Sequence, residues 1–125
     1  MSETIVLKNP ESKSPPLGDL GCVRLAFKMQ LRKGFEEEYK KRHISLWPDL
    51  EVLLKSTGIS EYSIFLDETT NALFGVMKVN NQEALKNLPA NLVMKKWWAY
   101  MKDIMESNED NSPVSVPLQE VFYLP

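Results

Sequence analysis

The sequence predicts an α+β fold whose elements follow the order β-α-β-β-α-β. Three observations predict it: an alternating apolar segment from Cys22 to Leu31, a helical apolar stripe from Phe35 to Leu54, and a second run of two alternating segments followed by a helical stretch. With 125 residues, of which 43% are apolar and 26% charged, the chain has the length and composition of one globular domain.

The first strand is predicted from Cys22 to Leu31, because every second residue is apolar: Val23, Leu25, Phe27, Met29 and Leu31. The segment before it, residues 1–21, is rich in proline, glycine and polar residues. We expect that segment to be a flexible N-terminal extension, with Thr4 to Leu7 as an alternative edge strand, and residues 22–125 to form the folded domain.

A helical region follows, with one apolar face formed by Phe35, Tyr39, His43, Trp47, Leu50 and Leu54. On the other face three glutamates each precede a basic residue by four positions, which supports a helix. Pro48 predicts either a kink or one helix ending near Ile44 and another starting at Pro48. Gly58 is expected to close the region as a C-terminal cap.

The rest of the chain supplies the remaining elements. A second strand carries Ser60, Tyr62, Ile64 and Leu66 on one face, and a turn over residues 67–71 leads into a third strand at residues 72–79. A helical stretch starts at Asn81, is interrupted by Pro89 and resumes through Ile104. A loop over residues 108–117 precedes a last strand over residues 118–124.

This order is the split β-α-β arrangement of ferredoxin-like folds. The helices cover one face of such a sheet, so the other face must be solvated or contact a partner. Ala26, Phe74 and Val76 are predicted to lie on that face. A dimer formed by packing two sheets together is therefore expected.

Composition excludes several functions. The 15 basic and 17 acidic residues leave a net charge of −2, without the basic surface of a nucleic-acid-binding protein. One cysteine and one histidine exclude an internal disulfide and a zinc site with several imidazole ligands. No apolar run is long enough for a signal peptide or a membrane span, and no glycine-rich phosphate loop or serine nucleophile motif occurs. An intracellular protein, and if an enzyme a metal-free acid–base catalyst, is expected.

His43 and Tyr39 are the first candidate site residues. They lie one helical turn apart on the apolar face, and histidine can donate and accept protons near neutral pH. A neighbouring tyrosine hydroxyl can orient a substrate or relay a proton. A hydrogen-bonded core histidine beside an ordinary tyrosine fits the same pattern.

Three more aromatic residues are candidates for ligand binding. Trp97 and Trp98 are adjacent on a helix and therefore point about 100° apart, so one packs inward and the other lies at the edge. An exposed indole beside polar groups suits the apolar face and polar rim of a sugar. Tyr62 is expected on the sheet face covered by the helices, near Tyr39. Ordinary packing explains all three residues as well.

Four separated segments give the chain a resemblance to a known family. They are residues 37–43 (EEYKKRH) followed by 47–51 (WPDLE), residues 62–67 (YSIFLD), residues 96–101 (KWWAYM), and the ending with DNSP at 110–113 and LQEVFYLP at 118–125. Ile44-Ser45, between the two parts of the first segment, departs from the family's pattern. In this order the four segments resemble L-rhamnose mutarotase, and the resemblance covers about residues 22–125.

The resemblance implies a cytoplasmic homodimer of ferredoxin-like subunits, called a dimeric α/β barrel. It implies an isomerase that interconverts the α and β anomers of L-rhamnose without a cofactor or metal. His43 matches the family's proton donor, and the substrate-binding positions match Tyr39, Tyr62, Trp97 and Trp98.

On this basis we expect His43 to protonate the ring oxygen of the sugar, while the base could be a carboxylate, a water or a tyrosine. Two other interpretations stay open. The protein could be a non-catalytic sugar-binding or regulatory dimer, or a cofactor-free monooxygenase of similar topology.

Overall fold

The structure is a computed structural model that describes residues 22–125. Its elements, in chain order, are strand β1 (Val23–Gln30), helix α1 (Glu36–Ile44), helix α2 (Pro48–Ser56), strand β2 (Ile59–Asp67), strand β3 (Ala72–Val79), a 3-10 helix (Gln82–Ala90), helix α3 (Leu92–Met101) and strand β4 (Val116–Leu118). The expected N-terminal extension and the alternative edge strand from Thr4 to Leu7 both belong to residues 1–21, which lie outside the described residues.

The four strands form one antiparallel sheet in the order β2-β3-β1-β4. Strand β1 pairs with β3 along its whole length, from Val23 opposite Val79 to Gln30 opposite Ala72. Helices cover one face of this sheet, which confirms the predicted ferredoxin-like α+β fold. None of the helices within residues 22–125 is long and apolar enough to cross a bilayer.

The helical region breaks where Pro48 predicts it. Helix α1 ends at Ile44, and Pro48 is the first residue of α2, where its missing backbone N–H costs nothing. Gly58 follows α2 with a φ of +95° and donates its N–H to the carbonyl of Lys55, as expected for a C-terminal cap. The second helical region also breaks, because the segment containing Pro89 is a 3-10 helix and a new helix starts after Asn91.

Strand β2 contains a bulge that the sequence analysis did not predict. The pairing of Ser60 with Lys78 is followed by that of Ser63 with Val76, so β2 carries one residue more than β3 in this interval. Glu61 has a φ of +48° at this point. The bulge places Ser60 on the opposite face from Tyr62, Ile64 and Leu66, and the expectation that all four share one face is therefore wrong.

The last strand also differs from the expectation. β4 consists of Val116–Leu118 instead of residues 118–124. Residues 116 and 117, which were expected in the loop, belong to this strand, whereas residues 119–124 do not. Beyond Leu118 the chain makes no further ladder with β1, although Glu120 and Tyr123 both contact Arg24 of that strand. Val121, Phe122 and Leu124 remain 66–75% exposed, whereas Tyr123 between them is half-buried under Arg24.

The core lies between the sheet and the helices. Its largest cluster joins strand residues to residues of all three helices and of the segment after α3, and its fully buried members include Leu31, Leu50, Leu73 and Ile104. A smaller cluster around Ile59, Met77 and Val79 lies at the other end of the sheet. Phe27 packs against both clusters and so connects them.

Candidate active site

A cavity of about 1320 Å³ lies between the helices and the inner face of the sheet. All five residues proposed from the sequence, His43, Tyr39, Tyr62, Trp97 and Trp98, line this cavity. Helix α1, strand β2 and helix α3 each contribute to the wall, so residues distant in sequence come together here. A cavity mostly lined by apolar groups with a few polar atoms is typical of a small-molecule site.

Helix geometry fixes the orientation of His43. Its Nδ1 lies 2.9 Å from the carbonyl oxygen of Tyr39, one turn earlier in α1. A carbonyl can only accept a hydrogen bond, so Nδ1 carries the proton and Nε2 of the neutral ring is left with a lone pair. The imidazole is held between the stacked ring of Tyr39, at 4.3 Å between centroids, and the edge of Trp97, at 5.4 Å.

Burial lowers the pKa of His43 below its ordinary value, because the charged imidazolium loses solvation; the hydrogen bond to the Tyr39 carbonyl opposes this to a lesser degree. The neutral form therefore predominates at neutral pH. At neutral pH, Nε2 of His43 can therefore accept a proton from a ligand but has none to donate.

The two cavity tyrosines are held in environments that keep them neutral. Tyr39 is buried, with 8% of its surface exposed, and desolvation followed by the proximity of Tyr62 raises the pKa of its hydroxyl. Tyr62 is more open, with 37% exposed, yet desolvation still raises its pKa to about 12. Both hydroxyls thus remain hydrogen-bond donors at every physiological pH.

Trp97 and Trp98 differ in burial, as the helix geometry predicts. Trp97 is buried against Trp47, His43 and Tyr100, whereas Trp98 is half-buried at the edge of the core. Trp97 therefore forms part of the fixed wall behind the imidazole.

Arg42 anchors this wall from outside the cavity. Its guanidinium makes two hydrogen bonds to Asp103, at 3.0 and 3.2 Å, and a third to Glu38 at 2.8 Å. It also lies 4.4 Å from the ring centroid of Tyr100, which packs against Trp97. These contacts tie α1 to the C-terminal end of α3 and so hold His43 and Trp97 together.

Several polar atoms in the cavity have no protein partner. Within residues 22–125, no group hydrogen-bonds to the hydroxyls of Tyr39 and Tyr62, to the indole N–H of Trp97, or to Nε2 of His43. A buried polar group without a partner costs about 1–3 kcal/mol. Tyr39 and Trp97 are buried and His43 is half-buried, and all four residues line one cavity, which is the arrangement expected for a site that binds a polar ligand.

The cavity includes residues to which the sequence analysis gave no role. Phe27 of β1 is one of them, and the loop after α3 adds Ser107, Asn111, Ser112 and Ser115. The loop is shaped by hydrogen bonds of Asp110 with the backbone and hydroxyl of Ser112. The run of Asp, Asn, Ser and Pro at 110–113 was a usable signal for this turn, but nothing in the sequence showed that it reaches the cavity.

Carboxylates also line the cavity, but most already have a partner. Glu36 accepts a hydrogen bond of 2.6 Å from Asn71, which is the largest cause of its lowered pKa, rather than pairing with Lys40 as the helix pattern predicted. Glu51 pairs with Lys55 and Glu61 with Lys78. In the described part of the chain, no three side chains of the histidine, cysteine, aspartate or glutamate type are grouped so that they could hold a metal ion.

Comparison with known proteins assigns the chain to a family. The family model described as L-rhamnose mutarotase matches residues 24–124. Proteins of that name from Formosa agariphila and Sinorhizobium fredii are 57% and 54% identical over 101 residues, which is 81% of this chain and 97% of each relative. The corresponding protein of Phocaeicola vulgatus is 50% identical over the same coverage.

Solved structures agree with this assignment. The crystal structure of an L-rhamnose mutarotase from Formosa agariphila is 56% identical and superposes with a TM-score of 0.77, covering 82% of this chain and 99% of that one. A putative antibiotic biosynthesis monooxygenase from Caulobacter crescentus, 19% identical over 82% of this chain and 92% of its own with a TM-score of 0.56, shares the fold alone. Over nearly all of its described length, this chain belongs to the L-rhamnose mutarotase family of enzymes acting on sugar anomers.

Proposed function

We propose that this protein is an isomerase that interconverts the α and β anomers of L-rhamnose. The observation that carries the proposal is that four residues lining one largely apolar cavity, His43, Tyr39, Tyr62 and Trp97, each have a polar side-chain atom without a protein partner. A deoxy sugar has hydroxyls for such atoms and an apolar edge for the surrounding rings. The family supplies the identity of the sugar.

In the proposed complex, binding and chemistry are separate tasks. The hydroxyls of Tyr39 and Tyr62 and the indole N–H of Trp97 donate hydrogen bonds to oxygens of the sugar. The half-buried ring of Trp98 contacts its apolar edge. These groups place the anomeric carbon next to Nε2 of His43, whose lone pair has no protein partner and whose lowered pKa keeps it free to accept a proton at neutral pH.

The ring opens by moving one proton. Nε2 of His43 takes the proton from the anomeric hydroxyl, and the resulting imidazolium gives it to the ring oxygen as the bond between that oxygen and the anomeric carbon breaks. The anomeric carbon is now an aldehyde, which rotates, and reversal of the two transfers closes the other anomer. His43 thus protonates the ring oxygen, as expected from the sequence, with a proton that comes from the substrate. The sugar is neither oxidised nor reduced in these steps, so the chemistry requires no redox cofactor.

The first prediction concerns His43. Replacing His43 with alanine should slow enzymatic anomer exchange by about 10² to 10⁴-fold, because it removes the proton-transfer group. In the unaltered protein the rate should fall as pH drops through the lowered pKa of His43, since imidazolium cannot accept the anomeric proton, and should be flat above it. NMR saturation transfer between the two anomers measures both effects.

Lys41→Ala is the matched control, because Lys41 is exposed on the same helix and does not line the cavity. It should leave the rate unchanged. A His43→Ala protein that still exchanges anomers at the normal rate would exclude His43 as the proton carrier. If the unaltered protein binds L-rhamnose by calorimetry but does not accelerate exchange at all, the non-catalytic sugar-binding alternative is correct.

The second prediction concerns the unpartnered hydroxyls. Tyr39→Phe and Tyr62→Phe should each raise KM for L-rhamnose about three- to tenfold, the value of one neutral hydrogen bond. Tyr39→Phe should also leave the free energy of unfolding of the sugar-free protein unchanged or higher, because it removes a buried hydroxyl that no protein group binds. Urea denaturation and exchange kinetics measure the two quantities.

Tyr100→Phe is the control, because Tyr100 is 42% exposed and lies outside the cavity lining. It should change neither quantity. A clear loss of stability in Tyr39→Phe would show that the hydroxyl has a structural partner and would remove the main support for a polar ligand at this position.

We further propose that two copies of the chain form a homodimer through the outer face of the sheet. Phe65, Val116 and Leu118 are 63%, 54% and 39% exposed there, and they pair across the sheet with Phe74, Lys28 and Ala26. The exposed apolar residues Val121, Phe122 and Leu124 follow directly after β4. A second copy offers the same apolar surface, so the two faces can cover each other.

The third prediction tests this surface. The protein should sediment as a dimer at micromolar concentration, and Phe65→Glu should convert it to a monomer, because a carboxylate cannot be buried between two sheets without a partner. Val52→Glu is the control, since Val52 is equally exposed, at 67%, but lies on helix α2. A monomeric parent protein, or a Phe65→Glu variant that stays dimeric, would contradict the proposed interface.

We infer a cytoplasmic location as well. The half-buried Cys22 is a free thiol, and the chain has no second cysteine with which to form an internal disulfide, as expected of a protein from a reducing compartment.

A further inference from the structure

A glycine occupies the middle of the inner sheet face. Gly75 lies in β3 between two large apolar residues of the same face, Leu73 and Met77, and pairs with Phe27 on one side and Ile64 on the other. A glycine inside a strand lacks a side chain to pack and commonly marks a close approach by another group. The structure shows which group approaches here.

The ring of Phe27 lies over Gly75. A β-carbon built on Gly75 would lie 3.0 Å from Cε1 and 2.6 Å from Cε2 of Phe27, and closer still to Cζ. These separations are far below van der Waals contact between carbons, so alanine at this position requires the ring to move. Phe27 therefore fills the space that a side chain at position 75 would occupy.

Phe27 also contacts Tyr62. The two ring centroids are 6.1 Å apart with an angle of 64° between the planes, an edge-to-face arrangement. Tyr62 sits in the bulge of β2, immediately after Glu61 with its positive φ. The regular pairing of β2 with β3 is interrupted between Ser60 and Ser63, so Tyr62 has no partner in the ladder, and Phe27 supplies its ring contact.

We propose that Gly75 and Phe27 are positioning residues that set the place of the Tyr62 hydroxyl, and thereby how tightly the sugar is held. This inference rests on the proposed role of Tyr62 in binding the substrate. Gly75 leaves room for the ring, the ring supports Tyr62, and the bulge gives Tyr62 the freedom to be placed by that contact. Neither residue needs to take part in proton transfer, which belongs to His43.

The fourth prediction tests this arrangement with Gly75→Ala and Phe27→Leu. Each should raise KM for L-rhamnose about three- to tenfold while kcat changes less than about twofold, because each disturbs a binding hydroxyl and not the imidazole. The double variant should resemble Phe27→Leu alone, since leucine lacks the ring atoms that the new β-carbon would meet. Each single variant should also shift the ¹³Cζ resonance of Tyr62, assigned by its loss in Tyr62→Phe.

Val79→Ala is the matched control. Val79 is fully buried in the same strand but does not line the cavity, so its truncation should lower stability without changing KM or the Tyr62 resonance. Simple addition of the two single effects on KM in the double variant would contradict the proposal.

The outcomes separate this inference from the proposed function. If Tyr62→Phe does not raise KM, the binding role of Tyr62 is wrong, and the inference falls with it. If Tyr62→Phe raises KM but Gly75→Ala changes neither KM nor the Tyr62 resonance, only the positioning role of Gly75 and Phe27 is wrong.

Discussion

The hydrogen bond from Nδ1 of His43 to the carbonyl of Tyr39 is the interaction on which the site depends. It spans 2.9 Å within one helical turn, and it uses a backbone oxygen that no side-chain substitution can remove. It fixes both the tautomer and the ring orientation, so that the lone pair of Nε2 is the part of the imidazole left without a protein partner. Burial then keeps the ring neutral near pH 7 by lowering its pKa. A single histidine can thus accept and return a proton without a second residue to orient it.

The other residues of the site hold the imidazole of His43 in place and leave some of their own polar atoms without protein partners. Trp97 and the Tyr39 ring hold the imidazole from two directions, and Arg42, bound to Asp103 and stacked on Tyr100, ties the two helices together outside the cavity. The Tyr39 hydroxyl and the Trp97 indole N–H are buried without protein partners, which costs stability in the sugar-free protein. Such a cost is common at functional sites, where a ligand supplies the missing hydrogen bonds.

Much of this could be predicted from the sequence, because the signals were strong and local. The alternation in β1, the helical spacing from Tyr39 to His43 and the break at Pro48 all reflect backbone geometry that neighbouring residues determine. The same spacing placed His43 beside Tyr39 and turned Trp97 inward while Trp98 stayed at the edge. The structure brings all five candidate residues to one cavity, although their individual roles remain predictions.

The features that the sequence did not reveal depend on contacts between distant segments. The bulge at Glu61 places a non-glycine residue at positive φ, for which the local sequence gives no signal, because the bulge is defined by the pairing of β2 with β3. Phe27 over Gly75 and Glu36 bound to Asn71 likewise join residues far apart in the chain. The segment after Leu118 alternates like a strand, but it contacts β1 through the side chains of Glu120 and Tyr123 at Arg24 and not through a backbone ladder.

Nitrogen-15 NMR of the imidazole tests the central claim most directly, because His43 is the single histidine of the chain and its two ring nitrogens need no further assignment to a residue. At pH 7 the account predicts a neutral ring with the proton on Nδ1 and a bare Nε2, and a shift of the Nε2 resonance when L-rhamnose is added. A ring protonated on Nε2, or an Nε2 resonance that does not respond to saturating sugar, would contradict it.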